Sequence, residues 1–416
     1  ERNPKPGVYF NRLGELCDSR RKQELAAICY RAAIELMPQL PESRTNLGLL
    51  AMRTGRIDEA EKLLDKAFQA DPFHLRVSNL RKVLGVLKGY DTFRTEHFVL
   101  RVDASDRMLA EYMADYLEEV HGELSDFFGF TPPTPTQVEI YSSAQGQTAH
   151  EWFSARMIGL PWIQTIGAST GTIVAMASPQ AVDEPYHWGR VLRHEYSHIL
   201  TLQQTNFEVP HWYTEALAVR AEGTVLTAEW MKLLETRVHQ GELFTLRTID
   251  SGFRQPASGD DWTMAYCQSW LYARFIEERW GAGKLLELLD AYRRGLTTGP
   301  AIEAALATSE AEFERSFASY LTELAAEIGR CRTTLDIEPA KALAEYTGSP
   351  RDATLAGRCA YVQQQAGNAE EARRIAEAGL QLRPGEPLCT TVLAAQLDDA
   401  GEVERADALL AKAYDP

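Results

Sequence analysis

His194-Glu195-Tyr196-Ser197-His198, followed after sixteen residues by Glu215 within Pro210-His211-Trp212-Tyr213-Thr214-Glu215-Ala216, is the stretch on which the reading of this chain turns. On an α-helix, residues i and i+4 share a face, so His194 and His198 can offer imidazole nitrogens to one metal ion about 2.0–2.1 Å away. Glu195 then lies beside that metal. Glu215, on a following helix, completes a three-ligand set whose fourth position stays open for water. The expected ion is Zn2+, one per chain. Glu195 is the expected general base: it takes a proton from water attacking a carbonyl and later delivers it to the leaving amine.

The surrounding pattern supports a helix, because Val191, Leu192, Tyr196, Ile199 and Leu200 can face a core while the two histidines share another stripe. The competing reading is an ordinary amphipathic helix with two surface histidines, and for Glu215 a solvated glutamate above a buried face of Trp212, Ala216 and Val219. His211 stands four residues before Glu215 and can share its face. Just after Pro210, at a helix start, it reads as exposed or near substrate rather than as a ligand.

These residues resemble the gluzincin metallopeptidases, and specifically the peptidase-MA-like family related to thermolysin and aminopeptidase N. The resemblance spans roughly residues 91–330. Asp91-Thr92-Phe93-Arg94-Thr95-Glu96-His97-Phe98-Val99-Leu100 looks like the family's opening strand, and Met264-Ala265-Tyr266-Cys267-Gln268-Ser269-Trp270 like a helix beyond the ligands. It implies a thermolysin-like zincin fold and a polypeptide substrate, with Tyr266 as a catalytic donor to the oxyanion. The alternative for Tyr266 is a core tyrosine within the stripe Trp262, Ala265, Ser269, Trp270 and Ala273.

The aminopeptidase relatives carry a Gly-Ala-Met-Glu-Asn strand whose glutamate holds the substrate's amino terminus. The comparable place here is Gly167-Ala168-Ser169-Thr170-Gly171, which has no carboxylate. Gly167, Ala168, Ser169 and Thr170, with His211, are therefore the candidate substrate-binding residues. The strand 172–178 is expected to bind an extended peptide by main-chain pairing, as an edge strand does, which favours endopeptidase action. The other reading is a turn before an ordinary strand.

A thirty-four-residue period marks the flanks. Leu13-Gly14 recurs as Leu47-Gly48, Ala26 as Ala60, Tyr30 as Leu64, Ala33 as Ala67 and Pro38 as Pro72, the spacing of tetratricopeptide repeats. Near the end Ala360 matches Ala394, Ala372 matches Ala406, Ala376 matches Leu410 and Gly379 matches Ala413. Small residues let paired helices approach, and larger apolar ones fill the gap. Such an array can recruit a protein partner or serve as a collar that buries the edges of the central domain. At least three repeats are usually needed for a stable array, so two at either end must lean on the catalytic domain or on further sequence.

The fold class expected is mainly α with a small α+β part: a zincin domain between two repeat arms, divided as residues 1–90, 91–330 and 331–416. Strands are expected near Phe98–Val102, Gln137–Tyr141 and 172–177. A net charge of −16 with scattered basic residues argues against nucleic acid as a partner. No apolar run of about twenty residues predicts a transmembrane segment. Six cysteines show no metal or redox spacing, and only Cys17 and Cys29 fall where two helices of one repeat can bring them together. The start at Glu1 is compatible with a removed signal peptide or further repeats. The family resemblance leans toward a bacterial periplasmic or secreted protein, while the residues leave the compartment open. A tetratricopeptide scaffold with a vestigial zinc site, and a zinc hydrolase of a non-peptide substrate, stand as alternatives.

Overall fold

A computed structural model describes residues 4–159, 165–184, 186–333 and 337–413, apart from the side chains of residues 330–333. The side chain of Cys331 and the proposed boundary residue Thr334 lie outside these. The chain divides into two compact units, one of residues 1–230 and 244–317 and the other of residues 231–243 and 318–416.

The first unit opens with two helical hairpins, α1 (Pro6–Ser19) with α2 (Gln23–Leu36) and α3 (Pro41–Arg53) with α4 (Ile57–Ala70), followed by α5 (Leu75–Leu87). Proline at N1 or N2 starts both α1 and α3, where no backbone donor is lost. The small positions act as expected. A Cβ on Gly14 would lie 2.6 Å from the Tyr30 ring, and one on Gly48 would lie 2.8 Å from Leu64 Cδ2, so each hairpin closes over a glycine.

Next come β1 (Asp91–Arg94), β2 (Phe98–Val102), α6 (Arg107–Phe128), β3 (Thr136–Tyr141), α7 (Ala149–Ile158), β4 (Gly167–Ser169) and β5 (Ile173–Ala177). They form a five-stranded sheet in the order β1-β2-β3-β5-β4, with β2, β3 and β5 parallel and the outer strands antiparallel. Two expectations change here. The stretch from Asp91 to Leu100 is not one strand but a hairpin turned at Thr95, whose N–H bonds Phe98 O at 3.0 Å while Glu118 accepts the His97 N–H. The segment 172–178 is not an edge: β5 lies between β3 and β4, every residue of it buried, as its continuous apolar run Ile173-Val174-Ala175-Met176-Ala177 requires. On this side of the sheet the edge strand is β4.

Repeats and sheet share one core, with Leu64, Val77, Leu80 and Val83 packed with Trp152 and Phe153 of α7 and with Tyr141 and Ala175 of the sheet. Polar contacts reinforce the join. Arg156 of α7 donates to Glu139 of β3 at 2.6 Å and to Met52 O at 3.1 Å, and both Thr170 and Thr172 donate to Arg53 O. Within this unit the leading repeats are a collar built into the domain.

Beyond the sheet run α8 (Trp188–Gln204), α9 (His211–Ala221), α10 (Ala228–Gln240), α11 (Ile249–Arg254), α12 (Gly259–Trp280), α13 (Gly283–Arg293), α14 (Thr298–Leu306) and α15 (Glu310–Thr333). The units divide within α10 and α15. In the second unit α16 (Pro339–Gly348) precedes the pairs α17 (Ala353–Gln365) with α18 (Ala369–Leu382) and α19 (Pro387–Asp399) with α20 (Val403–Ala413), again thirty-four residues apart. Ala356, Ala360, Ala372, Ile375 and Ala376 make its core. Leu410, the counterpart of the buried Ala376, is 45% exposed, so the last helix closes a weaker copy.

Candidate metal centre

Helix α8 starts at His187, whose Nδ1 accepts the Arg190 N–H, and lays Leu192, Tyr196, Ile199 and Leu200 into the core. That fixes its rotation, and His194 and His198 share a face next to α9. Helix α9 begins after Pro210 and is held at its first turn by Trp212 N–H to Asp250 Oδ1 at 2.9 Å. It brings Glu215 between the histidines. His194 Nε2 and His198 Nε2 are 3.1 Å apart, and they lie 3.3 and 3.5 Å from Glu215 Oε2. These three residues are a candidate metal-binding group among the described residues.

The proton positions decide what this cluster can hold. Thr201 donates to Ser197 O at 2.9 Å, so the Thr214 hydroxyl donates to Thr201 Oγ1 at 2.7 Å and receives Nδ1–H of His198 at 2.8 Å. Glu222 Oε1 receives Nδ1–H of His194 at 2.6 Å. With both rings neutral, the Nε2 atoms carry lone pairs turned toward each other and toward Glu215 Oε2, a buried oxygen with no hydrogen-bond partner. Three acceptors without a donor repel one another unless a cation stands among them. Tetrahedral zinc with bonds of about 2.0–2.1 Å separates its ligand atoms by about 3.3–3.4 Å, close to the spacings here, so the residues fit that ion.

Electrostatics agree with the grouping. Burial works against a charge on His194, but the Glu215 and Glu222 carboxylates raise its pKa well above the ordinary histidine value. Burial likewise opposes ionisation of Glu215, and the histidines overcome it and hold that carboxyl well below the usual range. Glu195 is raised, first by burial and then by the neighbouring carboxylates, with the histidines acting against them. A buried carboxylate with a raised pKa is suited to accept a proton.

A cavity of about 1190 Å³ opens over the centre and is lined by His194, Glu195, His198, Glu215, Tyr266 and residues 165–170. Tyr266 is a lining residue rather than a core one, and Trp262 beside it is 37% exposed, so the expected buried stripe breaks at both positions. Phe253 and Trp262 pack edge-on against the Tyr266 ring at 5.0 and 4.9 Å. Among the described residues its hydroxyl makes no hydrogen bond. Burial first, then Glu215, Glu195 and Glu222, push its pKa well above the usual tyrosine value, so it stays a proton donor.

Strand β4 runs along the cavity. Thr170 N–H bonds Ile173 O and Ala177 N–H bonds Ile166 O, so by antiparallel alternation the main-chain groups of Gly167 and Ser169 face away from β5. Gly167 O is met by Thr165 Oγ1 at 2.8 Å. A Cβ on Gly167 would fall 2.5 Å from Val191 Cγ1 and 3.4 Å from Glu195 Oε1, so glycine brings the strand against the metal helix. Ala168 and Ser169 line the cavity, while the Thr170 hydroxyl is committed to Arg53 O. His211 Nε2 lies 3.5 Å from Glu215 Oε1, outside the converging donors. Burial lowers its pKa, against Glu215, and keeps it neutral.

Glu222 and Thr214, which lie outside the sequence motif, orient the two histidines. Glu222 follows Glu215 by seven residues, two helical turns on the same face, a signal that was present. Cys17 and Cys29 are free thiols, and burial, then Cys17, raises the Cys29 thiol.

A group of three donors that could hold a metal ion, beside a buried carboxylate on a helix packed under a mixed sheet, is the class of site present. Residues 123–323 are a Peptidase MA superfamily domain, and residues 41–74 and 354–378 on either side are tetratricopeptide repeats. No curated protein matches the chain. Among solved structures, the crystal structure of yeast Tom70 aligns over 97% of this chain and 90% of its own at 13% identity, with a TM-score of 0.18.

Proposed function

We propose that this chain is a zinc-dependent metallopeptidase, an endopeptidase acting on extended or unfolded polypeptide, with residues 91–330 as its catalytic domain. One observation carries the reading: Nε2 of His194, Nε2 of His198 and Oε2 of Glu215 converge to 3.1–3.5 Å of one another, and Glu195 shares their cavity. Zinc, when bound, would lower the pKa of water and polarise a carbonyl. His194, His198 and Glu215 would hold it, with Glu222 and Thr214 orienting the imidazoles.

The chain's own residues supply the remaining steps. A substrate strand added to the outer edge of β4 pairs with Gly167 and Ser169, which sets a scissile carbonyl near Glu195. Glu195 takes the proton of the attacking water and gives it to the departing amine. Tyr266 donates its hydroxyl hydrogen to the developing oxyanion. The absence of a carboxylate between Gly167 and Gly171 leaves no anchor for an amino terminus at this edge, in keeping with cleavage inside a chain. The repeats also make a protein partner part of this reading.

Peptide cleavage with and without zinc, compared with Glu195→Gln, tests it. The variant should keep about one zinc per chain and lose about 10²–10⁴ in kcat. Cleavage by the variant at the unmutated rate would refute the mechanism. Absence of zinc from unmutated protein after metal is offered would favour a repeat scaffold.

A further inference from the structure

The wall of the cavity includes residues of the leading repeats. Asp18, Ser19, Arg21 and Gln23, from the turn between α1 and α2, line it together with Arg53 at the end of α3. The first tetratricopeptide hairpin thus supplies part of the cleft over the metal centre, although it lies about 170 residues from it in sequence.

That turn differs from its three counterparts. The thirty-four-residue period sets Arg21 equivalent to Gly55, and Gly367 equivalent to Gly401. All four are left-handed, with φ of 57°, 74°, 82° and 76°. The backbone bonding is also the same in each: Lys22 N–H to Cys17 O, Arg56 N–H to Ala51 O, Asn368 N–H to Gln363 O, and Glu402 N–H to Leu397 O. A Cβ at Gly367 or Gly401 would meet nothing within 4 Å, so glycine there answers only the backbone conformation. Arginine in that conformation costs about 1–2 kcal/mol against glycine. The cost falls at the one of these four turns that lines the metal cavity.

The guanidinium is exposed to the cleft and, among the described residues, makes no ion pair or side-chain hydrogen bond. Burial among the walls lowers its pKa, and the charges of Arg254 and Arg53 lower it further, against Asp250. Arg53 is paired with Asp18. In a chain of net charge −16, Arg21 places in the cleft wall a guanidinium that has no ion-pair partner among the described residues.

We propose that Arg21, with Arg53 beside it in the cavity wall, forms an anion subsite of the cleft that takes a carboxylate of the polypeptide substrate. A guanidinium offers paired N–H donors that match a carboxylate's two oxygens. On a polypeptide that group is an aspartate or glutamate side chain or the terminal carboxylate. This substrate class rests on the metallopeptidase reading, and the leading repeat becomes a specificity element of the domain it packs on.

The test uses the full zinc-loaded chain carrying Glu195→Gln, so that peptides bind without being cut. Three fluorescent forms of one extended apolar peptide are compared by anisotropy at low salt: blocked and uncharged, blocked with one internal glutamate, and uncharged with a free C-terminal carboxylate. One or both charged forms should bind roughly tenfold tighter than the uncharged one. The internal glutamate identifies a side-chain source and the free terminus identifies a chain end. Adding Arg21→Gly should bring the ratio to about one with an equal or higher melting temperature, because glycine suits the left-handed turn. Equal binding of all three forms, or discrimination that survives Arg21→Gly, overturns the proposal. Zinc-dependent cleavage by the unmutated chain without charge preference sinks this proposal alone. Charge discrimination by Arg21 without any cleavage leaves the subsite standing and sinks the peptidase reading.

Discussion

The Glu222 carboxylate accepts Nδ1–H of His194 at 2.6 Å, and its other oxygen is held by Arg190 Nη2 at 3.0 Å. That bond fixes the tautomer and ring plane that leave Nε2 for a metal. Glu222→Gln should weaken zinc binding by about 10–100-fold while leaving the fold intact. Competition with a chromogenic chelator measures it, and unchanged affinity would remove Glu222 from the site.

Tyr266 has a protonated hydroxyl and no protein partner for it among the described residues. Tyr266→Phe should lower kcat by about 10² with little change in KM, as loss of one oxyanion donor does elsewhere. Equal turnover by the variant would return Tyr266 to a packing role between Phe253 and Trp262.

Arg220 of α9 holds Glu277 of α12 with two bonds of 2.8 and 2.7 Å, tying the Glu215 helix to the Tyr266 helix. The Arg220 hydrogen bond, working against burial, depresses the Glu277 pKa below its ordinary 4.5. Because the folded value is the lower one, the pair's contribution is present above the unfolded pKa and is lost as pH falls through the folded value. The melting-temperature gap between the unmutated chain and Glu277→Gln should therefore be largest near neutral pH and close below pH 4.5. A gap independent of pH would contradict this.

Arg156 and Glu139 have side chains 1% and 0% exposed, and Arg156 also bonds Met52 O of the second repeat. Arg156→Met leaves the buried Glu139 with only Arg101, 3.9 Å away, and the Tyr141 hydroxyl, and should cost about 3–5 kcal/mol in denaturant unfolding. A loss under 1 kcal/mol would mean that the Arg156 bonds add little to the join of repeat and sheet.

Gly14 and Gly48 hold equivalent places against Tyr30 and Leu64. Gly14→Ala and Gly48→Ala should each destabilise by about 1–3 kcal/mol through overpacking. Neutral variants would show that the hairpins can open without strain.

Much of this was legible in the chain because it depends on local repetition. Helical periodicity sets His194 and His198 one turn apart whatever lies around them, and Glu222 was readable by the same rule, seven residues past Glu215. The thirty-four-residue period placed the hairpins at both ends, since each small residue answers a larger one on the paired helix. Short runs rich in β-branched, aromatic and apolar residues located β2, β3 and β5. What only tertiary structure decided is which of these elements meet. Strand order made β4 rather than β5 the edge, because pairing depends on partners distant in sequence. Packing of the repeat core against α7 carried the turn at Arg21 into the metal cleft. Local periodicity follows from the geometry of one backbone, whereas an edge strand and a cleft wall are relations between segments up to about 170 residues apart, which side-chain packing alone brings together.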